Sequence, residues 1–163
     1  MESLVIREIR PEDNPQVDAI IKSCFVELDL PLTNTAYADA ETPFMYESFQ
    51  NNREVYYVVS DEASGEVLGG GGIKPLKDYP GNICELQKMY FSTKLRGKGF
   101  GKKLMERCLA FAEQAAFEKV YIETFPTLKA AIQLYRKFGF KDIDAPLGNT
   151  GHCACDVWME KQL

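Results

Sequence analysis

The sequence has a single histidine, His152, and no pair of cysteines or histidines at zinc-finger spacing. A structural zinc site takes four ligands, usually from two such pairs. His152-Cys153-x-Cys155 is one cluster without a second, so no metal is expected. The two cysteines read instead as small buried thiols in a late strand. The five cysteines, at 24, 84, 108, 153 and 155, are odd in number and scattered. That argues against a disulfide framework and for a reducing, cytoplasmic setting. No apolar run approaches the ~18 residues of a membrane span. Met1 to Arg10 mixes Glu2, Arg7, Glu8 and Arg10 with its apolar residues, so no signal peptide is expected. Internal repeats and low-complexity segments are lacking too.

What is present is an ordinary globular composition. Apolar residues make up 45% and charged residues 26%, which excludes disordered and collagen-like chains. The 163 residues predict one domain, 1–163. A chain of this size buries roughly 70% of its unfolded surface and holds one core without staples.

The net charge of −5 is unevenly spread. Residues 1–91 carry 16 acids and 7 bases, and residues 92–163 carry 8 acids and 12 bases. The basic excess sits between Lys94 and Arg107, where Lys94, Arg96, Lys98, Lys102, Lys103 and Arg107 face only Glu106. A short basic segment in an acidic chain is a local anion site; a nucleic-acid surface would be broad and strongly basic. Neither nucleic acid nor membrane is expected as a partner, and the sequence leaves room for a homodimer.

Hydropathy patterning predicts strands at Leu4–Ile9, Val55–Ser60, Glu66–Ile73, Ile83–Phe91, Lys119–Phe125, Phe140–Ile143 and Cys153–Met159. Helices are predicted after Pro11–Asn14, over Phe44–Asn51, from Gly99, and from Thr127 as N-cap to Gly139. The order is an α/β fold: a mixed sheet of about seven strands flanked by about four helices. Gly69–Gly72 interrupts a strand and marks a bulge or a close backbone approach. Gly148-Asn149-Thr150-Gly151-His152 reads as a hairpin loop with an incidental histidine.

The informative segment runs from Met89-Tyr90-Phe91 through Arg96-Gly97-Lys98-Gly99-Phe100-Gly101-Lys102. A strand ends, a basic glycine-rich turn follows, and an amphipathic helix begins. Glycines let backbone approach a ligand. The first helical amides have no internal partner, and the helix dipole favours a phosphate there. Arg96, Lys98 and Lys102 add full charges. The segment is neither a Walker loop nor a dinucleotide fingerprint, because Gly97-x-Gly99-x-Gly101 is one residue short of the latter.

Arg96-x-x-Gly99-x-Gly101 instead resembles the R/Q-x-x-G-x-G/A motif of the GCN5-related N-acetyltransferases. About 35 residues on, Ala131-x-x-x-Tyr135-x-x-x-Gly139-Phe140 resembles that family's closing motif. Ile6 to Asp13 looks like its first strand and turn. The resemblance is specific over residues 83–143.

The resemblance implies acetyl-coenzyme A as cosubstrate and an amine as acceptor. It implies that Arg96 to Lys102 hold the pyrophosphate, and that Met89, Tyr90 and Phe91 pair with the pantetheine arm. Ala131 and Leu128 would flank the cofactor, Leu128 standing where the family often has Asn, so that contact would be apolar or through backbone. Tyr135 occupies the usual place of the general acid, with packing on its helix as the alternative. Glu85 lies roughly where several members have a catalytic glutamate. Glu123 on the neighbouring strand, or a water chain, are the other bases considered. The acidic first half, including Glu27, Asp29, Asp39, Glu41 and Glu47, suggests a small cationic amine. Two other readings stand beside the enzyme: a non-catalytic acyl-coenzyme A sensor of the same fold, and a nucleotide-binding regulatory domain.

Overall fold

A computed structural model of the chain describes residues 3–163. Met1 and Glu2, which open the stretch expected not to be a signal peptide, lie outside the described residues. Seven strands form one sheet: β1 (Leu4–Glu8), β2 (Val55–Asp61), β3 (Val67–Pro75), β4 (Ile83–Phe91), β5 (Lys119–Thr124), β6 (Lys141–Ile143) and β7 (Val157–Gln162). Their spatial order is β1-β2-β3-β4-β5-β7-β6. Every neighbouring pair is antiparallel except β4 and β5. Parallel neighbours need a crossover, here helix α3 (Phe100–Gln114). With α1 (Asn14–Glu27), the short α2 (Met45–Ser48) and α4 (Lys129–Lys137), four α-helices flank the sheet among the described residues. The α/β architecture expected from the sequence is the one observed.

The two faces of the sheet are covered by different helices. Leu104, Met105, Cys108, Leu109 and Ala112 of α3 pack with Ile73, Leu86, Val120 and Ile122. Val17, Ile21 and Phe25 of α1 pack with Tyr56, Val58 and Phe125. The entry to α1 is fixed by Asp13, whose carboxylate accepts from the Arg10 amide at 2.7 Å and the Arg7 guanidinium at 2.7 and 3.0 Å. The irregular stretch after α1 is pinned by buried hydroxyls. Thr35 donates to the Pro31 carbonyl (2.9 Å) and Thr42 to that of Ala36 (2.6 Å).

Gly69–Gly72 lie in β3 because their neighbours leave no room for side chains. A Cβ at Gly69 would fall 2.5 Å from Phe91 Cδ1, and one at Gly72 would fall 2.5 Å from the Val55 carbonyl oxygen. The bulge itself is in the opposing strand. Gly70 pairs with Tyr90 and Gly72 with Gln87, so two residues of β4, Lys88 and Met89, oppose Gly71 alone. Lys88 takes φ +50, outside the usual range for a side-chain-bearing residue. Its carbonyl is held by the buried Tyr56 hydroxyl at 2.7 Å.

Most element boundaries differ from the sequence reading by a residue or two, and two of the differences bear on the site. Helix α4 begins at Lys129 with Leu128, not Thr127, in the N-cap position and with no side-chain cap. Strand β7 begins at Val157 rather than Cys153, because residues 144–156 are drawn out of the sheet by polar contacts described below. Cys155 is buried in that loop and Cys153 is exposed, so neither is a strand thiol.

Candidate active site

Strands β4 and β5 pair only at Ile83–Lys119, Cys84–Val120 and Glu85–Tyr121. Beyond Glu85 they diverge, since a bulged strand bends. The β5-facing backbone groups of residues 86–91 therefore have no strand partner there. The wedge between the strands opens into a groove of about 520 Å³. Met89, Tyr90, Phe91, Arg96, Gly97, Gly99, Phe100, Gly101, Leu128, Ala131 and Tyr135 all line it. The structure thus brings most of the sequence-predicted set to one cavity. Lys98 and Lys102 are not among its lining residues, and Lys102 points along α3 toward Glu106 at 3.9 Å.

At the mouth of the groove the chain turns into α3. Gly97 and Gly99 take φ +78 and +79, and a Cβ at either would meet nothing within 4 Å. Their glycine requirement is therefore conformational, and the space above them is open. Arg96 reaches back across the rim. Its guanidinium pairs with Glu27 at the end of α1 and donates to the Phe91 carbonyl at 3.2 Å. The Glu27 hydrogen bond, opposed by partial burial, raises the guanidinium above its ordinary value. Sequence reasoning grouped Glu27 with an acceptor-side field; the structure shows it bound to the anion-site arginine.

Tyr135 projects from α4 with its ring buried, 6.0 Å from that of Phe140. Burial pushes its phenol up to about 12, so it holds its proton throughout the neutral range. Gly101 and Leu134 bring α3 and α4 together, since a Cβ at Gly101 would lie 3.4 Å from Leu134 Cδ2.

A second, narrow pocket of about 30 Å³ adjoins the groove and shares Leu86, Lys88, Tyr90 and Glu123 with it. Its polar walls are Glu85, Gln87, Lys88, Glu123, His152 and Thr35, and its apolar walls include Phe25 and Phe125. Glu85 is 3% exposed. Burial, and then the charge of Glu123, raise its carboxyl to about 7, while His152, Gln87 and Lys88 act in the opposite direction. The Gln87 amide donates to Glu85 Oε1 at 2.6 Å. Glu123 is fixed by two hydroxyls, Tyr121 at 2.7 Å and Thr150 at 2.6 Å.

The bulge decides what else enters this pocket. Strict alternation would send Lys88 with Leu86 into the α3 core. The extra residue gives that place to Met89, which faces Leu104 beside Gly71, and turns Lys88 to the Glu85 side. There the lysine is buried against Asp39 at 3.1 Å and against Glu41. Asp39 also holds His152 Nε2 at 2.7 Å. Burial opposes ionisation of both Asp39 and Glu41. The His152 hydrogen bond and Lys88 charge for Asp39, and the Lys88 charge and hydrogen bond for Glu41, outweigh it and lower both carboxyls. Burial likewise pulls the imidazole down, but the Asp39 hydrogen bond and charge raise it overall.

His152 is therefore a wall of the pocket, not the incidental loop residue expected from sequence. Thr150 and Asp39 stand behind the walls, Thr150 holding Glu123 and Asp39 holding His152 and Lys88. The signal that could have flagged them is the density of hydrogen-bonding residues in Gly148–His152; nothing local indicated that Asp39 would be their partner.

The sequence profile of the acetyltransferase (GNAT) family matches residues 16–140. The chain belongs to this family. An uncharacterised N-acetyltransferase of Escherichia coli K12, YjgM, is 40% identical over 163 residues, spanning 99% of this chain and 96% of that one. Among solved structures, a GNAT acetyltransferase from Staphylococcus aureus Mu50 superposes with a TM-score of 0.83 at 16% identity, covering 98% of both chains. A phosphinothricin acetyltransferase from Sinorhizobium meliloti, solved with acetyl-coenzyme A, gives 0.77 at 19% identity over 99% of this chain and 89% of that one. These two share the fold.

The GNAT family uses acetyl-coenzyme A; this chain carries the groove described above. Its long arm is apolar where Met89, Phe91, Leu128 and Ala131 line it. At one end it meets the amides that open α3, over glycines with empty space above them. At the other end it meets Glu123 and Tyr135.

Proposed function

We propose that this GNAT chain is an acetyl-coenzyme A-dependent N-acetyltransferase acting on the primary amine of a small acceptor by direct attack. The observation that carries the reading is Glu85: a buried carboxyl, raised to about 7, in the narrow pocket that adjoins the groove. A base of that strength accepts a proton near neutral pH without being permanently protonated. The acceptor enters the narrow pocket, and acetyl-coenzyme A supplies the thioester along the groove. Glu85 takes a proton from the acceptor nitrogen as the new C–N bond forms. Tyr135 gives its proton to the sulfur as the C–S bond breaks.

The amides from Gly99 to Lys102, with Arg96, Gly97 and Lys98, hold the phosphates. Met89, Tyr90 and Phe91 present backbone to the pantetheine arm, with Leu128 and Ala131 opposite. The five free cysteines support a reducing, cytoplasmic compartment. No helix among the described residues is long and apolar enough to cross a membrane.

The test is thiol release from acetyl-coenzyme A across a panel of amines, with Glu85→Gln beside the wild type. The reading expects release with at least one amine and a loss of about 10²-fold or more in the variant. Binding of acetyl-coenzyme A with no release on any amine would favour the non-catalytic sensor instead.

A further inference from the structure

The charges around the narrow pocket do not balance, and the imbalance describes its occupant. Lys88 is taken by Asp39 and Glu41, Lys74 by Glu41 at 3.4 Å, and His152 by Asp39. Each cation of this wall thus already has a carboxylate. Among the described residues Glu85 and Glu123 have no ion pair; their hydrogen-bond partners are the neutral groups of Gln87, Tyr121 and Thr150. Two carboxylates that share a pocket repel each other, and the cations of its wall, Lys88 and His152, are engaged by Asp39 and Glu41. Gln87 adds an independent sign. Its amide nitrogen serves Glu85, and its Oε1 is fully buried with no donor among the described residues. A buried acceptor without a donor is costly unless something supplies one. What the pocket lacks is a positive group rich in N–H donors.

Building on the proposed transfer to an amine, we infer that the acceptor is a cationic primary amine without an α-carboxylate, seated with its ammonium between Glu85 and Glu123. The ammonium offsets one of the pair's two charges and brings three donors to it. An α-carboxylate on the carbon that bears the amine would meet the charges of Glu85 and Glu123, with Lys88 and His152 already engaged by Asp39 and Glu41. The pocket is small, about 30 Å³, so it takes the ammonium and little of the attached carbon. The aromatic rings of Phe25 and Phe125 form the wall for the stem. Glu85, Glu123 and His152 bring ligand-type atoms within 4.8 Å of one another, a spacing a metal ion could also use. However, both Glu123 oxygens are already held by hydroxyls and His152 Nε2 faces Asp39.

The test compares matched probes: ethylamine with alanine, tyramine with tyrosine, cadaverine with lysine. Each is measured by calorimetry on the full chain with coenzyme A bound, and by thiol release with acetyl-coenzyme A. The amine of each pair is expected to bind and turn over at least ~30-fold better than its amino acid. Glu123→Gln, which keeps the size of the side chain, should weaken amine binding about 10-fold. Equal or better use of the amino acids, or no binding by any of the three amines, overturns the inference. So does stoichiometric Zn²⁺ or Mn²⁺ binding at micromolar concentration that Glu123→Gln abolishes. The wild-type comparison stands without the variant. Failure of acetyl-coenzyme A itself to bind, read separately by calorimetry, counts against the proposed transfer and not against the ammonium seat.

Discussion

His152 Nε2 lies 2.7 Å from Asp39 Oδ2, joining parts of the chain 113 residues apart. One partner sits in the irregular stretch between α1 and α2, the other in the loop before β7. Between them they close the pocket beside Glu85, and Asp39 shares its charge with buried Lys88. The pair makes stability depend on pH in a definite direction.

The folded imidazole titrates above its unfolded value, so its contribution is fully present below about pH 6.5. It is lost as pH rises through the folded value. Urea denaturation of wild type and His152→Gln should therefore show a larger stability difference at pH 5.5 than at pH 8.5. A difference that stayed constant or grew with pH would contradict the pairing.

Glu85 governs the acid limb of activity. With its carboxyl at about 7, kcat/KM should rise with pH through neutrality as the base ionises. Glu123→Gln removes the charge that, after burial, does most to raise it, so the limb should shift to lower pH. The pH profile of the variant decides this, and an unmoved limb would place the base elsewhere.

Tyr135→Phe should lower turnover about 10²-fold or more and leave acetyl-coenzyme A affinity nearly intact. Its phenol, raised to about 12 by burial, stays protonated in the neutral range. Nearly full turnover under conditions where chemistry is rate-limiting would make the ring a packing group only.

The glycine turn separates conformational from steric needs. Gly99→Ala puts a side chain at φ +79, costing about 1 kcal/mol, and should weaken acetyl-coenzyme A binding. Gly101→Ala meets only an ordinary contact with Leu134 and should bind it nearly as the wild type does. Gly99→Glu, which adds like charge, should abolish binding. Calorimetry on the three variants reads the order directly.

Glu27 competes for Arg96 with any incoming phosphate. Glu27→Gln should free the guanidinium and tighten acetyl-coenzyme A a fewfold at low salt, with the gain shrinking as salt rises. Unchanged affinity would mean that Arg96 does not reach the phosphates.

The sequence by itself determined the alternation of strands and helices, the glycine-rich turn into α3 and the family motifs that bracket it. Those are local properties: hydropathy period, helix-start chemistry, and residues spaced within one turn or strand. Arg96, Gly99, Glu85 and Tyr135 were legible for that reason. Tertiary structure alone decided the narrow pocket. The bulge that turns Lys88 to the Glu85 side exists because Gly71 opposes two residues of β4, a relation between strands. His152, Thr150 and Asp39 are joined to the site by hydrogen bonds across the fold, and residues 153–156, which hydropathy put in a strand, lie in the loop before β7. Charge counted along the chain likewise overstated the acidic field. Folding pairs Glu27 with Arg96, and Asp39 and Glu41 with Lys88, and leaves Glu85 and Glu123 facing one pocket with no ion pair among the described residues. Which charges cancel depends on distances of a few ångströms between residues far apart in sequence, and only the folded chain sets those.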